Sequence, residues 1–458
     1  MRRSTVLKIN SLLLIGLFMV TTGFQCKLAS PKEQALLKPV ELAWWGTFDN
    51  PEDLNDLIGD YSAIHPNIRI TYRKLREEEF EQALLDALAE DRGPDIVSVT
   101  NVDLDKWLSK LAPLPDSTEL AYQYTKTSLG LKEETVVEVR KNASLTPAQL
   151  HEQFLDVVYG DVVRGGEIYG LPLTVDTLVM FYNRDLFNNA GLPLPPTTWS
   201  ELQGDVTRLT FQNREGELVQ SGAALGTMSN VEAGTDILAL LMLQNGARMT
   251  VGGQVLFHQL PAGADRTYNP GPEAIRFYTD FANPTKEVYT WNDSFPNSVD
   301  AFIQAKVAII FGYNQHRQYL EARRQGKLNY EVVAVPQIEG RPAVNIARYP
   351  VHAVMRKTAH VNEAWDFLQF AAKRDEVKKY LDRTKRLTAV RSLVGDQTGD
   401  DELRVFAEQL LTSVSWYHGK NAAAMESAFS DLITSVLKDN IPPADAAELA
   451  AQKIQQTF

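Results

Sequence analysis

Asp176 stands between two apolar runs, residues 168–173 and 178–182, inside the stretch GGEIYGLPLTVDTLVMFYNRDLFNNAG that covers residues 165–191. An ionised carboxylate only accepts hydrogen bonds, so the chemistry open to Asp176 is to receive donors or to face a cation. At an ordinary strand junction such a group is a solvated turn residue; where two lobes meet, it faces a bound solute. Motifs for other chemistry are missing. The chain has no GxxxxGK[ST] phosphate loop, no GxSxG elbow and no HExxH, and its seven histidines show no metal-ligand spacing; His151-Glu152 lacks the second histidine. None of the 58 acidic residues forms a local pair that nominates a glycoside-hydrolysis site. The one cysteine, Cys26, lies in the leader and is no catalytic nucleophile of the folded body.

The elements around Asp176 have clear sequence signals. Gly165 and Gly166 make a turn, and Pro172 removes a ladder donor, so residues 168–173 belong at a sheet edge or a crossing. Residues 178–182 form a second strand, followed by a short helix that Gly191 closes. Nearer the start, residues 40–45 read as a strand. Asn50-Pro51-Glu52-Asp53 then opens a helix with Leu54, Leu57, Ile58, Tyr61 and Ile64 on one face. Residues 68–72 alternate as a strand, residues 77–91 are helical, and residues 95–100 are a third strand. Strand, helix, strand, helix, strand predicts a parallel sheet, with ligands beyond the carboxyl ends of its strands. Two of those ends are Trp44-Trp45-Gly46-Thr47 and Thr100-Asn101-Val102-Asp103; alternation sends Trp44 and Trp45 to opposite faces, so both cannot line one cleft.

Residues 116–164 read as charged and helix-leaning, with Thr146-Pro147 opening a helix through Val158. Thr198-Trp199-Ser200-Glu201 is a capping box, and residues 235–244 form a helix apolar on nearly every side and therefore buried. Strands follow at residues 307–311, 331–335 and 351–355. Beyond them the chain is helical at 362–372, 375–381, 401–411, 422–438 and 444–456.

A chain of 458 residues that is 44% hydrophobic can bury two cores, which predicts two lobes. Its net charge of -12 argues against nucleic acid or an anionic membrane surface as partner. At the N-terminus, Arg2, Arg3 and Lys8 precede an apolar run at residues 11–20, too short to span a bilayer. That is the layout of a secretory signal over residues 1–25, followed by a tether at 26–39. Gly23-Phe24-Gln25-Cys26 resembles a bacterial lipoprotein box, although Gln25 stands where that pattern has a small residue, and it makes Cys26 a lipid acceptor; an ordinary signal cut nearby is the alternative.

Taken in order, LAWWGTF, HPNIRITYRKL, GPDIVSV, the stretch around Asp176 with its continuation LPLPPTTWSEL, GPEAIRFYTDFANP, AFIQAKVAIIFGYNQ, NEAWDFLQFAA and PPADAAELAAQKI resemble the solute-binding proteins of bacterial ABC importers, specifically the maltose-binding-like sugar group. The resemblance implies an α/β, two-lobe periplasmic-binding-protein fold, each lobe a mostly parallel sheet flanked by helices and joined by hinge crossings. The lobes are expected at residues 40–175 plus 345–395 and 176–344 plus 396–458. Ligand contacts then fall on Trp45 to Asp49, Asn101, Asp103, Asp176, Asn230, Tyr313, Gln315 and Trp416, with Trp291 and Tyr349 as further candidates. Arg348 joins them on chemical grounds, because sugar hydroxyls need planar donors and acceptors while sugar C–H faces stack on rings. Core packing is the competing reading for each aromatic. Ala305-Lys306 departs from the family's usual Gly-Lys at a turn.

The resulting expectation is a secreted, lipid-anchored or periplasmic, monomeric binding protein without enzymatic activity, cofactor or metal, which delivers a carbohydrate to a permease. The rivals are the same fold holding glycerol phosphate, a polyamine or a metal, a glycan-active enzyme, and a surface receptor without a transporter.

Overall fold

A computed structural model describes residues 36–128, 132–261, 263, 267–323, 326 and 328–458. Cys26 and the expected leader at residues 1–25 lie outside the described residues. Two five-stranded sheets, each covered by helices, are linked by a small three-stranded crossing sheet.

The first sheet runs in the order Ile68–Lys74, Val40–Gly46, Ile96–Thr100, Pro350–Met355, Leu111–Ala112. Its first three strands are parallel, with Val40 opposite Ile68 and Trp44 opposite Ile96. Helices Asn55–Ile64 and Glu77–Ala89 make the crossovers that parallel pairing requires. The predicted apolar face does the packing: Leu54, Leu57 and Tyr61 are buried. Pro350, whose missing N–H is tolerated at the first position of a strand, begins a segment antiparallel to Ile96–Thr100.

The second sheet runs Phe211–Gln212, Leu218–Ala223, Val307–Gly312, Val179–Asn183, Tyr330–Ala334. Only Leu218–Ala223 and Val307–Gly312 pair in parallel; the other neighbours are antiparallel. This lobe is therefore less parallel than expected. Val179–Asn183 enters from a crossing rather than through a strand–helix–strand unit, and it meets both its neighbours head to tail. Helix Gly234–Gln244 is buried on nearly every side, as its composition predicts.

Three crossings form the ribbon between the sheets. Asp176–Thr177 pairs antiparallel with Asn345–Arg348, placing Arg348 opposite Asp176, and Ser413–Val414 pairs parallel with Asn345 and Ile346. 

The helix-leaning reading of residues 116–164 is corrected. Ser117–Ser128 and Lys132–Ala143 form a hairpin in continuous register from Ser117 opposite Ala143 to Ser128 opposite Lys132. Its sequence is rich in Thr, Val and Tyr, which favour extended backbone. The hairpin's base is anchored by buried Leu120, by Thr118 Oγ1 donating to Asp366 at 2.9 Å, and by the His65 ring 3.0 Å from the Ala121 carbonyl. The following helix stops at Gln153 rather than Val158 and a second, Asp156–Val162, begins after Phe154 turns extended.

Candidate functional site

A cleft of about 700 Å³ opens between the two sheets, at the carboxyl ends of the first lobe's strands and beside the crossings. Its size falls within the range of small-molecule sites, about 300–1,000 Å³.

The crossings supply the floor. Asp176 Oδ1 accepts from the Thr177 N–H at 2.8 Å, and Oδ2 accepts from the Asn314 N–H at 2.9 Å, at the start of helix Asn314–Arg323. Burial pushes its carboxyl up to about 6, against the pull of the Asn314 and Thr177 amides. Arg348, its neighbour across the ribbon, turns to the second lobe. Its Nε and Nη2 each lie 3.1 Å from Asp236, and Nη2 also reaches Glu426 at 2.9 Å. Tyr313 donates its hydroxyl to the same Asp236 at 2.7 Å, and burial together with that carboxylate raises the phenol well above its ordinary value.

The first lobe contributes Thr47, Phe48 and Asn50, with Lys74 Nζ donating to Asn50 Oδ1 at 3.0 Å. Arg386 holds this loop from behind: Nη2 donates to the Phe48 carbonyl at 2.9 Å and Nη1 to Asp49 Oδ1 at 2.7 Å. From the second lobe come Met228, Val231, Glu232, Gln315 and His316. His316 Nδ1 accepts from the Tyr313 N–H at 2.8 Å, which leaves its proton on Nε2, 3.5 Å from Glu232. That neighbour holds the Glu232 carboxyl below the usual range.

Of the residues expected to touch a ligand, Thr47 and Phe48 of the loop after the first strand, Asp176, Tyr313, Gln315, Arg348 and Tyr349 line this cleft. The others do not, and each has a structural occupation. Trp45 is half-buried beneath Arg73, whose guanidinium lies 4.7 Å from the ring centroid. Asp49 is 1% exposed and spent on Arg386 and Tyr380. Asn101 is buried and donates to Asp161 at 2.9 Å, while Asp103 accepts from Thr100 Oγ1 at 2.5 Å. Asn230 braces the loop that carries Trp291: its Oδ1 accepts from Trp291 Nε1 at 2.9 Å, and Nδ2 donates to the Asn292 and Phe295 carbonyls. Trp291 itself is fully buried and stacked on Phe295, and Trp416 packs edge-on against Tyr417 and Phe429. None of the seven tryptophans lines the cleft.

Residues that the sequence reading passed over are Glu232, Asp236, His316, Arg386 and Glu426. Asp236 carried a signal, being a carboxylate in the first turn of an otherwise apolar buried helix. Arg386 and Glu426 had none, because they reach the site only through tertiary folding. Among the described residues no group of three or more His, Cys, Asp or Glu could hold a metal ion, and no helix is long and apolar enough to cross a membrane. The arrangement offers a polar, hydrogen-bonding enclosure with every strong cation already engaged.

Comparison with known proteins agrees with this geometry. Residues 46–378 match the family of bacterial extracellular solute-binding proteins. A galactooligosaccharide-binding protein of Bacillus subtilis is 22% identical over 404 residues, 83% of this chain and 82% of that one. A Brucella abortus binding protein is 37% identical over 57 residues, an alignment that spans 12% of this chain and 14% of the relative's length. Among solved structures, the cyclic alpha-maltosyl-1,6-maltose binding protein of Arthrobacter globiformis superposes with a TM-score of 0.71 at 17% identity, covering 92% of this chain and 99% of that one. A cyclo/maltodextrin-binding protein complexed with maltotetraose gives 0.69 at 15% identity, covering 92% and 97%. These likenesses are to binding proteins rather than enzymes, and the two-lobe α/β architecture is theirs. With a family match across the cleft-forming body and both lobes superposing, the chain belongs to the bacterial extracellular solute-binding proteins.

Proposed function

We propose that this chain is the capture component of an ABC importer, binding a sugar or oligosaccharide in the interlobe cleft and delivering it unaltered to a membrane permease. The observation that carries this reading is a cleft lined jointly by both lobes and the crossings, so that closing the lobes encloses the solute. Its donors and acceptors, among them Asn50, Asp176, Gln315 and Gln318, suit hydroxyl groups. The saccharide ligands named for its relatives support the same class. A phosphate-bearing solute is disfavoured on the cleft's own chemistry, since Arg348, Arg386 and Lys74 are all engaged by protein acceptors.

The lobes are assigned to residues 40–175 plus 345–395 and 176–344 plus 396–458. Export under the leader, lipid attachment at Cys26 and action as a monomer complete the reading. The test is thermal denaturation against a panel of mono- and oligosaccharides, because a ligand held only by the folded state raises the melting temperature. A saccharide in the panel is expected to stabilise the protein. Stabilisation by a charged solute alone overturns the ligand class.

A further inference from the structure

We propose that the second lobe carries a second ligand site, for a small molecule that joins one apolar ring to a cationic nitrogen. A pocket of about 360 Å³ lies on this lobe, within the size range of small-molecule sites, and it shares no lining residue with the interlobe cleft. Trp199, Leu241, Tyr268, Ala274, Phe277 and Ile338 form its apolar wall. Every lining residue falls between 199 and 338, so the site is built within one lobe and does not depend on closure of the two. Trp199 meets Phe277 edge to face at 5.8 Å and stacks on buried Phe311 at 5.6 Å. The Tyr268 ring, 43% exposed, and half-buried Phe277 are the surfaces on which a ligand ring can rest.

The uncharged polar side chains of this pocket are already spent. Trp199 Nε1 donates to Gln244 at 2.6 Å, the Tyr268 hydroxyl donates to Asn245 Oδ1 at 2.6 Å, and Asn245 Nδ2 donates to the Pro270 carbonyl at 2.7 Å. A sugar seated here would leave hydroxyls without partners, so the inserted part of the ligand is apolar. Charge enters from helix Pro270–Asp280, which presents Glu273, Arg276 and Asp280 at helical spacing beside Phe277. Glu273 is paired with Arg276 at 3.5 Å, and Asp280 with Lys286, outside the pocket, at 3.4 Å. Both distances are longer than a close charge-assisted hydrogen bond, so each carboxylate keeps room for an ammonium. Two carboxylates against one guanidinium leave the pocket's own charge acidic. A cation drawn there also gains from the faces of Tyr268 and Phe277. 

The test is a ligand-observed NMR titration of the full chain with 2-phenylethylamine and with 3-phenylpropionate, which carry the same ring on the same two-carbon arm and opposite charge. The amine is expected to bind in the high micromolar to millimolar range, as befits so small a ligand, and the carboxylate about threefold more weakly or less tightly still. Tyr268→Ala is expected to weaken the amine about tenfold, the scale of one aromatic stack, whereas Tyr268→Phe, which keeps the ring, retains it. The double variant Glu273→Gln/Asp280→Asn is expected to abolish the preference for amine over carboxylate. Saturating maltotetraose should leave amine binding unchanged, since the two sites share no residue. No binding of the amine, or equal binding by Tyr268→Ala, overturns the site. Equal affinity of the native chain for the carboxylate overturns the cationic class, and displacement of the amine by maltotetraose places it in the cleft and overturns the proposal. None of these results bears on whether the cleft takes a saccharide.

Discussion

Arg348 and Tyr349 are adjacent in the chain and are held by opposite lobes. Arg348 reaches Asp236 on helix Gly234–Gln244 and Glu426 on helix Ala422–Lys438, both on the second lobe. Tyr349 donates its hydroxyl to Asp161 at 2.6 Å and its N–H to Asn101 Oδ1 at 3.2 Å, both on the first. The same division recurs across the ribbon, where the Val175 N–H goes to Leu387 and Asp176 takes the Asn314 amide. The two crossings are thereby gripped by both lobes at adjacent residues, and the cleft lies beside them.

Removing either anchor should loosen one lobe's hold on the crossing. In Arg348→Ala, Asp236 keeps Tyr313 but loses its cation in a mostly buried setting, and a loss of about 3 kcal/mol is expected from breaking such a pair. Tyr349→Phe deletes one hydrogen bond to a buried carboxylate, with an expected loss of roughly 1.5 kcal/mol or more. Calorimetric melts of the ligand-free proteins measure both. Losses near zero would mean that the crossing is not held by these residues.

Two desolvated groups, cleft-lining Asp176 and buried His352, should give opposing pH dependences. Burial holds Asp176 at about 6 and His352 at about 4, against about 3.9 and 6.5 in an unfolded chain. As pH rises through this window the unfolded chain releases the Asp176 proton before the folded chain does, so the Asp176 contribution to stability falls. For His352 the folded chain is neutral while the unfolded chain is protonated, so its contribution rises. Each amounts to roughly 2–3 kcal/mol. Measured from about pH 4 to 6.5, the stability of the unaltered chain minus that of Asp176→Asn should fall. The same difference taken with His352→Gln should rise. Slopes of one sign in both comparisons would contradict the assignment.

Local chemistry made much of the fold legible. The helix at residues 422–438, the buried helix at Gly234–Gln244 and the Thr198 capping box were readable because caps and periodicity act within a few residues. The Asp176 crossing was readable because Pro172 and the flanking apolar runs disqualify it from a sheet interior. Charged composition concealed the hairpin at residues 117–143, whose strands pair with each other in continuous register. At the site, residue type misled. Tryptophans suggested stacking, but a large ring is also the best core filler, and Trp291 and Trp416 went inward. The clamp on Phe48 joins residues more than 300 positions apart, as from Asp49 to Tyr380 and Arg386, and no local pattern announces such a contact.

The proposed leader makes a prediction about location. If Cys26 becomes the lipidated first residue of the mature chain, cell fractionation should place the protein with membranes, and Cys26→Ser should release it to the soluble fraction with its melt unchanged. A single lipid chain holds only weakly, so firm membrane retention implies more than one acyl chain on the anchor. Recovery of the unaltered chain in the soluble fraction would leave an ordinary cleaved signal.

Ala305 offers a gain in stability. Where the resemblance calls for glycine, this chain places an alanine at φ 53°, in the left-handed region just past helix Ser298–Ile303. The turn is closed by the Ala305 N–H donating to the Phe302 carbonyl at 3.0 Å and the Lys306 N–H to the Ala301 carbonyl at 2.9 Å, so the backbone has no freedom to relax. Left-handed backbone costs an L-residue with a Cβ about 1–2 kcal/mol, and glycine escapes that cost while giving back part of it through the entropy of the unfolded chain. Ala305→Gly should therefore stabilise the protein by about 0.5–1 kcal/mol. Because Ala305 is exposed and its side chain packs on nothing in the core, no compensating contact is lost. A raised melting temperature with saccharide affinity unchanged is the expected result; a lowered one would mean that the strain at this turn is relieved by some other feature of the helix end.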